Sequence, residues 1–510
     1  MGAVPLRLGR TLHVLGSPVV VTAGAVLLAL GLRLPFVQHV AYPDEGGLML
    51  VARHWREGGP TLYGHLFVDR PPALVMFWRL AVDLGGLEAA RLLALLTTAV
   101  LVVAAAGCGH LLAGRRGTTW AAFVGAALAA NPLLGSVEVN GELLGAPLTM
   151  LACLALLAAL RSFRPGRDDL LLVLAGVLAG GALLVKQNLA GALVLGLVLA
   201  LTGAATGAWP WRRAVRVVGV GAAGALLPLA ATALWAQTEG PGAGTLWFTL
   251  YQFRLDAASV MVGYSSSATH DRAVSLLALT LLSGLALVVV PGLWSLLPGV
   301  RRGDPVTVAV LAMVAFEAVG VVLGGSYWAH YLIGLVPGVV LVAALAAGAG
   351  LRRRLPVVPG MAFVLASAVV VTGMRAAAYQ PAGEHQGSAV AAWLHAASHP
   401  GDSGLVTYGR ADILAASGLT PAYPYLWSLP MRTLDPDLVH LVRRLEGGRA
   451  PTWVVESSPL DSWHLDPTGR VGNALAEHYR VVGTVCGVPV LLHDGVHRSL
   501  PAAPAWCSVS

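Results

Sequence analysis

Two adjacent carboxylates, Asp44 and Glu45, directly follow the first long apolar segment of the chain, in the sequence Tyr-Pro-Asp-Glu-Gly-Gly. A helix start explains one of them, because Asp44 would cap a surface helix over about 45–57 and Glu45 would favour the dipole in its first turn. Capping needs only one carboxylate, however. Two carboxylates beside a bilayer indicate an acid/base or cation-binding role.

Two basic residues, Arg70 and Lys186, also lie close to apolar segments. Arg70 precedes Pro71-Pro72 at the end of the same loop, where a guanidinium suits a lipid phosphate that it binds through two hydrogen bonds. Simple snorkelling of the Arg70 side chain is the alternative. Lys186 is the only lysine in the sequence. This usage favours a specific demand for a compact ammonium at Lys186, with anchoring of a helix end as the alternative.

A short turn and a later segment carry further polar groups. Glu138 and Glu142 flank Asn140, and their spacing of four would place both carboxylates on one face of a helix that extended through the turn. Capping of the next helix by Asn140 or Glu142 is the alternative. His330 and Tyr331 open a later apolar segment. An interfacial tyrosine is typical of a membrane belt, whereas the histidine is not explained in that way.

Membrane-spanning helices must position these residues. Of the 510 residues, 56% are hydrophobic and 12% are charged, whereas soluble domains are roughly a quarter charged. Apolar blocks of about 20 residues recur, and each is long enough to cross about 30 Å of hydrocarbon. The apolar stretch after Ala73 is interrupted by Arg79 and Asp83, which predicts a helix lying in the interface. The predicted spans are approximately 17–36, 87–112, 118–134, 142–160, 169–185, 188–206, 214–235, 273–297, 305–323, 331–350 and 356–375.

The arginines predict the orientation in the plasma membrane. They cluster in alternate loops, which by the positive-inside rule indicates a cytoplasmic N-terminus and, after eleven spans, an extracytoplasmic tail. The net charge of +7 is therefore explained by topology, and the absence of a basic face or stripe argues against nucleic acid as a partner. The clusters are Arg7/Arg10, Arg115/Arg116, Arg161/Arg164/Arg167, Arg212/Arg213/Arg216, Arg301/Arg302 and Arg352/Arg353/Arg354. The predicted outer segments are 37–86, 135–142, 186–188, 237–272 and 324–331.

The tail differs in composition from the rest of the chain. We predict a membrane domain over 1–375, with the loop 37–86 as its reactive part, and an external domain over 376–510. Short apolar runs at 404–408, 453–455 and 488–492 alternate with helical stretches such as 437–446 and 471–479, which is typical of a small α/β domain. Its aromatic residues would line a sugar-binding surface or pack in the core. They are Tyr408, Tyr423, Tyr425 and Trp427.

The four cysteines do not form a disulfide framework. Cys108 and Cys153 lie inside apolar segments, where small packing roles are expected. Cys486 and Cys507 can pair only if the tail is outside the cell. The sequence contains no phosphate-binding glycine loop, zinc-type Cys/His spacing or Gly-x-Ser-x-Gly elbow. If the protein is an enzyme, it would therefore receive a substrate that is already activated, and an outward-facing site beside the bilayer suggests that this substrate is a lipid.

In its motifs the chain resembles the C-type (GT-C) membrane glycosyltransferases, specifically the protein mannosyltransferase and lipid A aminoarabinose transferase group (glycosyltransferase family 39). The resemblance covers roughly residues 17–350, and the tail resembles the external domain that many members carry. It implies a polytopic all-α membrane fold of about eleven helices with a small C-terminal external α/β domain. It rests on Asp44-Glu45, Arg70-Pro71-Pro72, the turn from Glu138 to Glu142, Lys186-Gln187 and His330-Tyr331.

The resemblance also implies an activity: inverting transfer of a sugar from a polyprenyl-phosphate donor to a glycan, lipid or protein acceptor outside the cell. Asp44 would be the general base with Glu45 beside it, and Arg70 and Lys186 would bind the donor phosphate. Many relatives have Asp or Lys where this chain has Glu142 or Arg70, which leaves the acceptor and a requirement for a divalent cation open. The acceptor-binding or supporting groups would be Glu138, Asn140, Glu142, His330 and Tyr331.

Two other classes of function compete with this one. A transporter or flippase for a lipid-linked saccharide would also need cationic groups at the outer surface. Such a protein should show broken helices and polar residues near the midplane, whereas here the polar residues lie mainly at the outer ends of the spans, with Glu317 as a deep exception. A structural assembly subunit would leave the paired carboxylates without a role.

Overall fold

The computed structural model of the chain describes residues 17–56, 62–161, 166–263, 267–378 and 385–508. Arg7, Arg10 and Arg164 of the predicted basic clusters lie outside the described residues. The helices before the tail are α1 (Pro18–Arg33), α2 (Pro43–Arg56), α3 (Pro72–Asp83), α4 (Leu87–Ala130), α5 (Gly141–Arg161), α6 (Arg167–Val185), α7 (Gly191–Ala205), α8 (Trp211–Thr238), α9 (Ala243–Trp247), α10 (Phe253–Gly263), α11 (Ser267–Leu282), α12 (Leu285–Arg301), α13 (Pro305–Leu323), α14 (Val336–Gly348), α15 (Leu351–Arg354) and α16 (Val357–Ala377).

These helices make a multi-pass membrane protein. Within the described ranges, eight helical segments are long and apolar enough to cross a bilayer, and the bent pair α11 and α12 adds a ninth. Helix α4 is broken at Ala113 and Gly114, so it accounts for two predicted spans, and α7 is apolar but shorter. Each of the eleven predicted segments therefore coincides with a helix.

One predicted span is not straight. The sequence predicts a single helix over 273–297, but the axes of α11 and α12 meet there at 67°. Gly284 is the cause, because its backbone has a φ of 80°, in the left-handed region that ends a helix and that glycine adopts without steric cost.

The chain divides into two compact units. The first comprises Met1–Val37, Arg91–Thr232 and Ala268–Ala378, and therefore most of the apolar helices. In it, α14 is buried along nearly its whole length, whereas only 17% of the most apolar stretch of α8 is buried. An apolar helix with so much exposed surface needs lipid as its solvent, and α8 accordingly lies at the periphery of this unit.

The second unit comprises Gln38–Ala90, Ala233–Ser267 and Tyr379–Ser510. It contains a five-stranded sheet in the order β2-β1-β3-β5-β4, in which β1 pairs in parallel with β2 and β3, and β5 runs antiparallel to β3 and β4. All three predicted strands and both predicted helices of the tail are confirmed. The tail elements are α17 (Gln386–Ala397), β1 (Ser403–Thr407), α18 (Ala411–Ser417), β2 (Thr420–Pro421), α19 (Ser428–Leu434), α20 (Val439–Glu446), β3 (Trp453–Glu456), α21 (Arg470–His478), β4 (Tyr479–Val485) and β5 (Val488–His493).

Segments from the membrane part of the sequence pack within this second unit. Helix α2 lies against α18 so closely that a Cβ atom on Gly46 would collide with the backbone of Asp412. The side chain of Arg53 donates a hydrogen bond to the carbonyl of Ala415 at 3.2 Å, at the other end of α18. The loop that carries Asp44 is thus held by the tail through backbone contacts that only a glycine permits.

Candidate functional site

The structure separates the roles of the paired carboxylates. The predicted surface helix is present as α2, and both residues lie in its first turn. One carboxylate oxygen of Glu45 accepts a hydrogen bond from the backbone amide of Tyr42 at 2.9 Å, and Glu45 is fully buried. The carboxylate that satisfies the helix start is therefore that of Glu45, whereas the Asp44 side chain is 37% exposed.

Arg70 lies beside the exposed carboxylate. Its guanidinium is 3.9 Å from Oδ2 of Asp44, and it donates a hydrogen bond to Oδ1 of Asp69 at 2.6 Å. Asp69 is buried and also pairs at 2.8 Å with Arg254, from helix α10. Asp69 thus holds two guanidinium groups together, and Arg70 keeps a quarter of its side chain exposed. Arg254 is a residue that sequence reasoning missed, although it lies in the predicted outer segment 237–272.

Tyr63 fixes the backbone at this cation. Its hydroxyl donates a hydrogen bond to the carbonyl of Arg70 at 2.7 Å. Burial, and to a lesser extent the Asp69 carboxylate, raise the pKa of the Tyr63 phenol well above its ordinary value, so that it remains a donor. The φ of Tyr63 is 71°, a backbone conformation that side-chain-bearing residues adopt only when their surroundings hold them in it.

The tail supplies a second group that contacts Asp44. The indole nitrogen of Trp427 donates a hydrogen bond to Oδ1 of Asp44 at 2.8 Å. Gly47, one helical turn after Asp44, lies under the same indole ring, and a Cβ atom there would overlap it. The sequence indicated Trp427 only as an aromatic residue of the tail. Its contact with Asp44 depends on tertiary packing, because 383 positions separate the two residues.

The other tail aromatics are mostly core residues. Tyr408 and Tyr423 are 2% and 4% exposed and belong to the hydrophobic core of the sheet domain. The hydroxyl of Tyr423 donates to the Asp435 carboxylate at 2.7 Å. Tyr425 is partly buried and packs edge-on against Tyr423. Core packing, one of the two predicted alternatives, therefore accounts for these tyrosines.

A second cluster lies within the first unit. The ammonium of Lys186 forms an ion pair with Glu142, which is 1% exposed. Nδ1 of His330 lies 2.7 Å from Oε1 of Glu138. The Lys186 ammonium also lies 4.6 Å from the centroid of the Tyr331 ring, a cation–π contact. The Lys186 charge is thus balanced by Glu142, and His330 contacts Glu138 within the same cluster.

Asn140 organises the turn that carries these carboxylates. Its side-chain oxygen accepts a hydrogen bond from the amide of Leu143 at 2.9 Å and so caps helix α5, which begins at Gly141. Glu138 therefore precedes the helix, so that the two glutamates do not share a helical face. The buried guanidinium of Arg33 donates to the carbonyl of Ser136 and holds the start of the same turn.

The two clusters differ in what they can do chemically. Asp44, Glu45 and Arg70 lie in the second unit, where an accessible carboxylate stands next to an accessible guanidinium. The second cluster lies in the first unit, and its Lys186–Glu142 ion pair is largely buried. It consists of Glu138, Asn140, Glu142, Lys186, His330 and Tyr331. No group of three or more His, Cys, Asp or Glu side chains among the described residues has a geometry suited to a metal ion.

The fold is that of the C-type glycosyltransferases, as solved structures show. One similar structure is the lipid A aminoarabinose transferase ArnT from Cupriavidus metallidurans bound to undecaprenyl phosphate, with 16% identity and a TM-score of 0.63 over 93% of this chain and 97% of that chain. Another is the Archaeoglobus fulgidus oligosaccharyltransferase in complex with zinc and sulfate, with 14% identity and a TM-score of 0.57 over 90% of this chain and 71% of that one. No protein-family model and no curated protein sequence matches the chain. The resemblance inferred from the motifs is thus confirmed at the level of the fold.

Proposed function

We propose that the protein is a membrane glycosyltransferase that transfers a sugar from a polyprenyl-phosphate donor to an extracytoplasmic acceptor with inversion at the anomeric carbon. The observation that carries the proposal is the pairing of the exposed Asp44 carboxylate with the Arg70 guanidinium at 3.9 Å. The fold adds support, because a solved structure with this fold is bound to undecaprenyl phosphate.

In the proposed reaction, Asp44 accepts the proton of the acceptor hydroxyl group as the acceptor oxygen attacks the anomeric carbon. The bond from the anomeric carbon to the phosphate oxygen breaks, and the electron pair leaves with the lipid phosphate. Negative charge on that phosphate grows in the transition state, so a fixed cation beside it lowers the barrier. Arg70 is the proposed cation, and Arg254 supports it through their common partner Asp69.

Trp427 has a positioning role in this proposal. Its N–H occupies one oxygen of Asp44, which leaves the other oxygen, the one nearer Arg70, to face the reactants. A base fixed in this way stays in line with the acceptor, and misplacement by about 1 Å can cost about a hundredfold in rate. The C-terminal domain would then contribute to the reaction through this one side chain.

The extracytoplasmic location of the tail is part of the proposal. Cys486 and Cys507 form a disulfide bond across 21 positions of the tail. Disulfides persist in oxidising compartments and are rare in the cytosol. This bond and the arginine distribution both support a cytoplasmic N-terminus and a tail on the outer side of the plasma membrane.

The test is transfer of radiolabel from a polyprenyl-phosphate sugar by the purified full-length protein. We expect Asp44→Asn to abolish transfer while the protein remains folded in the membrane, because the amide cannot accept the proton. Asp83→Asn, which changes an exposed carboxylate elsewhere in the same loop, is the matched control and should retain activity. Turnover by Asp44→Asn at the wild-type rate would refute the assignment of the base.

A transporter of lipid-linked saccharides is the second candidate. The observation that favours it is the bent pair α11 and α12, since discontinuous membrane helices are typical of transporters. Proteoliposomes distinguish the two candidates. A transferase converts the labelled lipid-linked sugar into a product with a new glycosidic bond, whereas a transporter moves the intact lipid between leaflets. Movement of intact donor without any product would favour the transporter.

A further inference from the structure

An apolar cavity of about 410 Å³ lies between four helices of the first unit, α5, α6, α7 and α8. Its walls carry no charged side chain, and many of the lining residues are small, such as Ala179 on α6 and Gly196 on α7. Leu197 and Leu226, on its rim, are 46% and 61% exposed. Because these helices are membrane spans, the exposed rim faces lipid, and the cavity is open to the hydrocarbon region.

A second cavity with a charged lining, here called the mouth, adjoins the apolar cavity. This second cavity of about 220 Å³ has Leu172 and Val217 among its lining residues, and the same two side chains line the apolar cavity. The second cavity lies at the ends of α5, α6 and α8 that the arginine distribution predicts to be cytoplasmic. Its charged lining residues are Asp168, Asp169, Arg212, Arg213 and Arg216.

The three arginines and two aspartates of the mouth give it a net charge of +1, and the arginines differ in their contacts. Arg216 forms an ion pair with Asp169, with a distance of 2.7 Å between Nε and Oδ1. Arg213 stacks on Trp209 at 4.7 Å and donates a hydrogen bond to the carbonyl of Leu160. Its guanidinium is thus fixed at the mouth, and Arg212, the adjacent residue, is exposed. Basic pockets between membrane helices on the cytoplasmic side suit anionic lipid headgroups.

This arrangement is distinct from the Lys186 cluster. Lys186 follows the last residue of α6, whereas Asp168 and Asp169 lie in its first turn. A helix of 19 residues is about 28 Å long, which separates the mouth from Lys186 by nearly the thickness of the hydrocarbon core. The mouth and the Lys186 cluster therefore face opposite surfaces of the bilayer.

We propose that the apolar cavity and its charged mouth together form a binding site for an anionic glycerophospholipid of the cytoplasmic leaflet. The phosphate group lies at Arg212 and Arg213, and one acyl chain enters the apolar cavity past Leu172 and Val217. Charge complementarity at the mouth, the apolar lining of the adjoining cavity and the two lining residues that they share carry the assignment. The site does not depend on the proposed transferase activity.

Native mass spectrometry of the full-length protein, with added phosphatidylglycerol or phosphatidylethanolamine, tests the proposal. We expect preferential retention of phosphatidylglycerol. In Arg212→Gln/Arg213→Gln the apparent affinity of the protein for this lipid should fall by about tenfold or more, because both arginines that attract the anionic headgroup are removed. Gly196→Leu should also weaken retention of phosphatidylglycerol. The leucine side chain would fill the apolar cavity at a position where a Cβ atom meets only Leu156, at 3.5 Å.

The matched control is Arg115→Gln/Arg116→Gln, at two exposed residues. It removes the same charge from the same predicted side. Retention should be unchanged in this control. An equal loss in the control, equal binding of phosphatidylethanolamine, or full retention in the Arg212/Arg213 or Gly196 variants would overturn the proposal. Displacement of phosphatidylglycerol by undecaprenyl phosphate at equal concentration would overturn it in favour of a polyprenyl lipid as the occupant.

Discussion

Substitution of Gly47 by alanine should lower turnover, because it displaces the indole ring of Trp427 from Asp44. Gly47 and Asp44 lie three positions apart on α2 and so share a face of the helix. An alanine Cβ atom at position 47 would lie 2.9 Å from Cη2 and 3.0 Å from Cε2 of Trp427, and closer still to Cζ2. Carbon atoms pack at about 3.5 Å or more, so the indole ring must withdraw from the helix by at least about 0.6 Å, which is 3.5 minus 2.9.

This withdrawal breaks the hydrogen bond to Asp44. The nitrogen–oxygen distance of 2.8 Å would lengthen to about 3.4 Å, beyond the usual limit of about 3.2 Å. A hydrogen bond to a charged group contributes about 1.5–3 kcal/mol, and about 1.36 kcal/mol corresponds to a tenfold change in rate. We therefore expect turnover to fall by about ten- to a hundredfold if the bond orients the base.

The assay is transfer of radiolabelled sugar from a polyprenyl-phosphate donor, together with thermal unfolding in detergent. Trp427→Phe removes the N–H group without a clash and should lower turnover by a similar factor. The double variant should be no slower than either single one, because all three lack the same hydrogen bond. Gly244→Ala, at a helical glycine where a Cβ atom meets nothing within 4 Å, is the control. Wild-type turnover in Gly47→Ala, or additive losses in the double variant, would refute the reasoning.

Two further predictions concern the ion pairs. Lys186→Ala leaves the buried carboxylate of Glu142 without its cation, which costs about 3–5 kcal/mol, so the melting temperature should fall and Lys186→Ala/Glu142→Gln should recover it. The donor affinity of this double variant then reports whether Lys186 also binds phosphate. An unaltered melting temperature in Lys186→Ala would contradict the pairing. Burial raises the pKa of Asp402, but hydrogen bonds from Arg498, the His399 amide and Trp453 together outweigh it and hold the pKa below its ordinary value. The stabilising contribution of Asp402 is therefore present above the unfolded pKa of about 3.9 and is lost as the pH falls through the lower pKa of the folded state. In unfolding scans at decreasing pH, the melting temperature should therefore fall more steeply for the wild-type protein than for Asp402→Asn.

Most of the membrane architecture follows from the sequence. Apolar blocks of bilayer length must be helical, because hydrocarbon offers no partner for unpaired backbone groups, and every predicted block is a helix. The bend at Gly284 was not predicted, since a glycine inside an apolar block is compatible with both a straight and a broken helix. Three of the five strands of the tail were also predictable, because short apolar runs rich in β-branched residues between turn residues are typical of buried strands.

The candidate site was predictable only in part. The sequence singled out Asp44, Arg70 and Lys186 because their residue types are unusual where they occur, and local chemistry is visible in a sequence. It did not show that Glu45 closes the helix start, that Asp69 joins Arg70 to Arg254, or that Lys186 is paired with Glu142. Each of these facts concerns which partner a charged group finds in space.

By itself, then, the sequence determined the membrane class and the positions of the spans, because composition and periodicity report how much apolar surface each segment must bury. It also provided candidates for the reactive residues. Tertiary structure alone decided that Trp427 meets Asp44, and that arginines of α8 line a cavity next to the apolar cavity between α5, α6, α7 and α8. Such contacts join residues far apart in the chain. They depend on close approaches, such as that of Gly47 to an indole ring, which no local pattern encodes.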